Sequence, residues 1–218
     1  MEPRFVVLMG PPGSGKGTQA KLAAQALEMP HISTGDMLRR AVADKSDLGA
    51  RVKAVMESGH LVSDDMMMEV VRKRLSQPDC RGRGAILDGY PRTQQQACDL
   101  GSLLGPSAAH LMAINLHVAE DVLRRRMIGR RSCVECGKVY NLFENPSPGG
   151  SLCGECRSEL IQRPDDKDDV VSARLVEYAA KTEPLLGYYK KLGLLHVIDG
   201  DADVAVVHKE IIQLIERS

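Results

Sequence analysis

The run Gly10-Pro11-Pro12-Gly13-Ser14-Gly15-Lys16-Gly17-Thr18 constrains this chain more than any other. An apolar stretch, Phe5-Val6-Val7-Leu8-Met9, precedes it, and a helical pattern, Gln19-Ala20-Lys21-Leu22-Ala23-Ala24, follows it. Strand, glycine loop and helix in that order build a phosphate cradle. The glycines let consecutive backbone N–H groups turn inward, and the helix start adds partial positive charge. Lys16 then reaches terminal phosphates and Thr18 faces a magnesium ion. The pattern departs from the strict motif in one place, because Gly17 intervenes between Lys16 and Thr18. The dinucleotide fingerprint fits worse, since its third glycine would fall at Thr18. A ligand-free glycine turn would leave the Lys and the helix unexplained.

At 218 residues, 43% hydrophobic and 27% charged, the chain suits one sizeable α/β core with small inserts. Its 29 basic and 29 acidic side chains cancel, which argues against nucleic-acid binding through a basic face. No apolar run is long enough to span a membrane. The first apolar stretch is short and flanked by Glu2 and Arg4, so no signal peptide is expected and a cytoplasmic location is the default. Tryptophan is absent and phenylalanine numbers two, so arginine planes are better candidates than rings for stacking on a base. The 18 arginines exceed the 11 lysines, as phosphate handling favours.

Apolar runs at Phe5–Met9, His31–Ser33, Ala85–Leu87, Leu111–Leu116 and Leu195–Ile198 predict strands. Helical patterns fall near 16–28, 36–45, 47–58, 64–76, 93–104, 119–129, 168–191 and 203–216. Strands separated by helices imply parallel pairing, hence a doubly wound α/β sheet of five strands. Two stretches break the rhythm: 34–62 holds two short helices without a strand, and 130–163 is rich in Gly, Pro, Ser and Cys. Both read as inserts on the sheet domain, which then comprises 1–33, 63–129 and 164–218.

Cys133-Val134-Glu135-Cys136 and Cys153-Gly154-Glu155-Cys156 are two Cys-x-x-Cys pairs sixteen residues apart. This spacing matches a four-thiolate zinc site, with Gly137 and Gly154 suited to the knuckle turns. Four sulfurs leave no place for water, so such a metal is structural. Iron, two disulfides or four free thiols are the alternatives; a cytosolic setting disfavours the disulfides. Cys80 and Cys98 read as ordinary thiols.

Four further motifs complete a pattern: Ile32-Ser33-Thr34-Gly35-Asp36-Met37-Leu38-Arg39, Leu87-Asp88-Gly89-Tyr90-Pro91-Arg92-Thr93, Gly129-Arg130-Arg131 and Arg163-Pro164-Asp165-Asp166. In this order, with the loop and both inserts, the whole chain resembles the adenylate kinase family in its long-lid form with a zinc-binding lid. The resemblance implies a P-loop sheet, a helical insert over AMP and a lid over ATP. It implies the reaction Mg·ATP + AMP ⇌ 2 ADP, run by a monomer that binds neither nucleic acid nor membrane, with Mg²⁺ accompanying ATP and a structural Zn²⁺. Lys16, Asp88, Arg92, Arg126, Arg130, Arg163 and Arg174 are its implied catalytic residues. ATP contacts are implied for Gly13, Ser14, Gly15, Lys16, Gly17, Thr18, Arg126, Arg130 and Tyr140, with Arg126 stacking on the base. AMP contacts are implied for Thr34, Arg39, Leu61, Val62, Gly89, Arg92, Gln96, Arg163 and Arg174. Thr18 and Asp88 would hold magnesium through water, and Cys133, Cys136, Cys153 and Cys156 would hold zinc.

Plainer readings stand beside these. Ser33 or Thr34 caps the following helix. Asp88 marks an Asp-Gly turn, or a carboxylate for magnesium at the carboxyl end of a strand. Gln96 is a solvated helix-surface residue, or it reads adenine, whose edge suits an amide. Arg126 and Arg130 share one face of a helix end, four residues apart, and any single surface arginine is usually solvated. Asp165 and Asp166 brace the lid and its arginines, or form an acidic first helical turn. Pro164 stands where the family often has a basic residue, and Ser172 where some members carry Arg. The rivals are a kinase for another nucleotide, a nucleic-acid-binding P-loop module and a purely structural metal protein.

Overall fold

The computed structural model describes residues 3–217. Along the chain run β1 (Arg4–Met9), α1 (Lys16–Ala26), β2 (His31–Ser33), α2 (Thr34–Ala43), α3 (Asp47–Glu57), α4 (Asp64–Leu75), α5 (Pro78–Arg83), β3 (Gly84–Asp88), α6 (Gln94–Leu104), β4 (Leu111–His117), α7 (Glu120–Gly129), β5 (Arg130–Cys133), β6 (Val139–Asn141), β7 (Leu160–Ile161), α8 (Asp168–Glu177), α9 (Pro184–Lys191), β8 (Leu195–Asp199) and α10 (Val204–Arg217).

Five strands form one sheet in the order β2-β3-β1-β4-β8, and every pair is parallel. The central β1 is buried on both faces, as its unbroken apolar run requires. Phe5, Val7 and Met9 face a core completed by Val71, Leu100 and Tyr189 from α4, α6 and α9. Val6 and Leu8 face the opposite core, with Ala20 and Ala23 of α1 and Ile211 and Ile215 of α10. This is the period-two alternation of a strand. Winding goes to one side of β1 for β2 and β3 and to the other for β4 and β8. Its reversal falls at the end of β1, where the glycine loop begins, and such a switch point is where open α/β sheets bind ligands.

The expected five strands are all present. Two inserts leave the sheet. Helices α2 and α3 pack against each other. Strands β6-β5-β7 form a separate antiparallel sheet that carries the cysteine pairs. Three features differ from the sequence reading. The expected helix over 168–191 is interrupted by a wide π-helical turn, Tyr178–Thr182, ahead of Pro184, which has no N–H to donate into the preceding turn. Helix α5 was not anticipated; it is six residues long, too short for a periodic signal. Arg130 does not share a helix face with Arg126, because α7 stops at Gly129 and Arg130 opens β5. The last position of α7 has room only for glycine: a Cβ there would lie 2.6 Å from the Phe143 ring and 2.8 Å from Asn141 Oδ1. Among the described residues no helix is long and apolar enough to cross a membrane.

Candidate active site

The loop after β1 leaves backbone donors unspent. Gly10 and Gly13 hold φ values of +138° and +88°, and a Cβ at either would come within 2.8 Å of a carbonyl oxygen, Leu116 or Leu123 respectively. No side chain caps the start of α1 at Gly15, so its first N–H groups remain available to an anion. Lys16 Nζ curls back to donate to Pro11 O at 3.0 Å. Burial pushes its ammonium down to about 7; Asp88 opposes this, while Arg92, Arg174 and Arg130 add to it. Asp88 ends β3 on the same edge of the sheet and is 9% exposed. Burial works against its charge, but His31, Lys16 and Arg92 prevail and hold the carboxyl near 2. His31 Nε2 stands 3.7 Å from Asp88 Oδ2, an ion-pair separation. The glycine at 17 has a local reason: a Cβ there would sit 3.3 Å from that same Oδ2. Thr18 is exposed on the first turn of α1.

Arginines from both inserts and the core gather opposite Lys16. Asp166 is fully buried and takes both Nε (2.8 Å) and a terminal nitrogen of Arg130, plus Arg174 at 3.0 Å. Arg174 also meets Asp165 Oδ2 at 3.0 Å. Asp165 and Asp166 thus brace arginines from a short 3₁₀ turn that Pro164 opens, and are not the first turn of α8. Arg163 Nε donates to Ser132 Oγ at 2.9 Å, Arg92 Nε to Gly89 O at 2.7 Å, and Arg39 pairs with Asp36 at 2.6 Å. Burial, with neighbouring arginines adding to it, pulls Arg92 down to about 10 and Arg163 to about 9. Arg174 is lowered too, by burial first and then by Arg130 against the pull of Asp165. Only Arg130 is raised, because Asp166 outweighs its burial. Such crowding is relieved by adding negative charge, so the cluster favours a polyanion.

Two clefts meet here. One, of about 590 Å³, is lined by Thr34, Arg39, Leu61, Val62, Gly89, Arg92, Gln96 and Arg174 among others. The second, of about 560 Å³, is lined by Gly10, Pro12, Lys16, Arg92 and Arg174 among others. Arg92 and Arg174 therefore form a shared wall. Ser33 caps α2 through the Asp36 N–H, which leaves Thr34 to donate to Gly89 O at 2.8 Å and line the first cleft. Gln96 is not a solvated surface residue; it is 2% exposed. Gly13, Ser14, Gly15, Gly17 and Thr18 surround Lys16 in the loop but line neither cleft.

Four predicted residues lie elsewhere. Arg130 and Arg163 line neither cleft; they are held by Asp166 and Ser132 respectively. Arg126 is tied to Glu144 at 3.1 Å and to Gly200 O at 2.9 Å, between the small sheet and the loop after β8. The Tyr140 side chain is buried in the cysteine knuckle, where its hydroxyl accepts the Gly154 N–H at 3.1 Å.

The four cysteine sulfurs lie within 4.8 Å of one another, with Cys133 to Cys156 at 3.4 Å and Cys136 to Cys153 at 3.6 Å. Thiolates about 2.3 Å from a tetrahedral zinc stand about 3.8 Å apart. The two knuckles repeat one turn: Gly137 N–H bonds Cys133 O, and Arg157 N–H bonds Cys153 O. The left-handed residues are Gly137 (φ +66°) and Arg157 (φ +63°). The glycine expected to serve the second turn, Gly154, instead makes room for Pro148, 2.8 Å from where its Cβ would be.

Comparison with known proteins agrees. The family model described as Adenylate kinase matches residues 8–194. The chain belongs to the adenylate kinase family. It is 48% identical over 213 residues to the adenylate kinase of Kosmotoga olearia, covering 97% of this chain and 99% of that one. To those of Thermosipho melanesiensis and Archaeoglobus fulgidus it is 45% and 44% identical, again over 97% of its length. Sequence reasoning about this kinase missed Asp64, whose carboxylate holds the side chains of Gln96 and Thr93. It also missed Thr182, whose hydroxyl donates to Arg92 O at 2.9 Å from the π-helical turn. Asp64 resembles any acid at a helix start, and Thr182 lay inside an expected continuous helix.

Proposed function

We infer that this kinase transfers a phosphoryl group reversibly from Mg·ATP to AMP, giving two ADP. The observation that carries the reading is the shared wall: Arg92 and Arg174 face both clefts, so donor and acceptor phosphates meet on the same guanidiniums. In this reading AMP fills the cleft of Thr34, Arg39, Leu61, Val62, Gly89 and Gln96. The ATP phosphates lie along the loop of Gly13, Ser14, Gly15, Lys16, Gly17 and Thr18. Arg126 flanks the ATP base, and the backbone beside Tyr140 covers it.

Transfer is loose and in line, so the protein positions groups and neutralises charge. An AMP phosphate oxygen attacks the γ-phosphorus, and the bond to the β-bridging oxygen breaks, leaving ADP on each side. No general base is required, because a monoester with a second pKa of about 6 is already dianionic at neutral pH. Lys16, Arg92, Arg130, Arg163 and Arg174 spread the moving charge. Asp88 stays ionised and, with Thr18, would hold Mg²⁺ through water, the hard oxygen environment that the ion prefers. Bound magnesium would neutralise phosphate charge and orient the chain of phosphates.

The segment 34–62 then acts as the acceptor insert and 130–163 as the lid, hinged near Gly129–Arg131 and Pro164–Asp166. Structural zinc on Cys133, Cys136, Cys153 and Cys156 would let the lid move as one body. A monomer suffices, since one chain builds both clefts, and unbridged thiols suit the reducing cytoplasm. Incubation with ATP, Mg²⁺ and each of AMP, GMP, CMP and UMP tests the reading. ADP formation with AMP is expected; turnover with another acceptor and not AMP would overturn it.

A further inference from the structure

Gln96 is held at both ends of its amide. Its Oε1 accepts the Arg92 backbone N–H at 2.8 Å, and its Nε2 donates to Asp64 Oδ1 at 2.7 Å. The other Asp64 oxygen accepts the Thr93 hydroxyl at 2.9 Å, and Thr93 in turn caps α6 by accepting the Gln96 N–H at 3.2 Å. The chemistry of the partners forces the amide orientation. A backbone N–H can only donate and a carboxylate can only accept. Turning the amide over would set donor against donor at Arg92 and acceptor against acceptor at Asp64.

Each end of the amide keeps one hydrogen-bonding position for the cleft that Gln96 lines: an N–H on Nε2 and a lone pair on Oε1. Adenine offers a ring nitrogen that accepts beside an amino group that donates. Hypoxanthine and guanine offer a carbonyl that accepts beside a ring N–H that donates, the same edge with its polarity reversed. An amide free to turn over serves either edge, whereas a locked amide serves one.

We propose that Asp64 sets the base specificity of the acceptor cleft by locking the Gln96 amide in the orientation that pairs with adenine. The proposal rests on the reading that Gln96 meets the acceptor base. Asp64 does this as a positioning residue and need not touch the nucleotide. A general benefit to the start of α4 does not account for the contact, because Asp65, next in the same first turn, supplies that as well. Mismatched buried polar groups give strong discrimination, so a single orienting carboxylate carries a large effect.

Steady-state kinetics with AMP and with inosine monophosphate, which reverses the edge without adding the 2-amino group of guanine, tests this. In Asp64→Ala the AMP-to-IMP ratio of kcat/KM is expected to fall by about tenfold or more, chiefly through KM. Asp64→Ser, too short to reach Nε2, should behave alike and serves if the alanine variant is unstable. Asp64→Asn should restore most of the preference, with its oxygen toward Nε2 and its amino group turned to the Thr93 hydroxyl. A ratio unchanged in both short variants, or AMP and IMP activities falling in parallel, overturns the proposal. Gln96→Ala separates the two layers. An unaltered AMP KM there refutes the reading of Gln96 itself; a raised KM alongside an unmoved Asp64 ratio refutes only the lock.

Discussion

Lys16 is a buried ammonium with a burden of its own. Its free-state pKa of about 7 means that the unliganded kinase holds it half-protonated near neutrality. In the free protein the unfolded chain keeps that proton while the native state sheds it, so this group adds stability as pH climbs from about 7 to 10.5. Nucleotide binding reverses the preference, because a polyphosphate stabilises the charged form. Affinity for a non-hydrolysable ATP analogue is therefore expected to be flat below about pH 7 and to weaken by up to about tenfold per unit above it, with net proton uptake. Calorimetry in two buffers of different ionisation enthalpy reads both. Lys16→Met should remove this dependence and cost at least about a hundredfold in kcat with the fold kept. Dependence that persists in the variant would assign the titration to another group. Asp166 carries a different load. It is the fully buried partner of Arg130 and Arg174, and its replacement by Asn should destabilise the fold by about 3 kcal/mol in chemical denaturation. A loss under about 1 kcal/mol would show that the two arginines find water or other acceptors.

Among the elements, the small sheet stands apart because strands of four, three and two residues enclose only a minor cluster of Cys133, Tyr140 and Cys153 with Leu160. A metal held by the four cysteines would supply what packing does not. Cys133→Ser is expected to lower zinc content and Tm more than it lowers the rate at low temperature, read by metal analysis and thermal melts. Metal-free protein as purified, with an unaltered melt, would contradict a structural zinc. The cysteine spacing was legible from sequence because ligand geometry is written in short-range intervals. The centre of the sheet was legible because β1, β3 and β4 are nearly continuous apolar runs buried on both faces. What escaped was local or indirect. Arg157 adopts a left-handed backbone that nothing in its residue type signals, and α5 is too brief to show a period. Asp64 acts through a partner thirty-two positions away, a relation that only folding creates. Arg126 and Arg130 keep helical spacing in the sequence, but α7 ends at Gly129 and the backbone is already extended at Arg130.

At the scale of the molecule, α7 hands over to the small sheet at one tight joint. Phe143 rests where a Gly129 side chain would be, Leu142 N–H bonds Gly129 O at 2.9 Å, and Asn141 Nδ2 bonds Arg126 O at 2.9 Å. On the far side, Lys21 of α1 reaches Gly137 O at 3.0 Å and ties the first cysteine turn to α1. A methyl at Gly129 would displace the ring and misalign the lid. Gly129→Ala is expected to lower kcat/KM for ATP by about tenfold or more, and Gly129→Ala with Phe143→Ala should recover part of that loss. Equal damage in the single and double variants would refute a steric origin. The joint also separates two sensitivities. Guanidiniums gripping phosphate lose strength as counterions accumulate, whereas an aromatic edge seated against bare main chain is indifferent to dissolved ions. A brine that slackens the hold on substrate should thus leave the pivot turning as before.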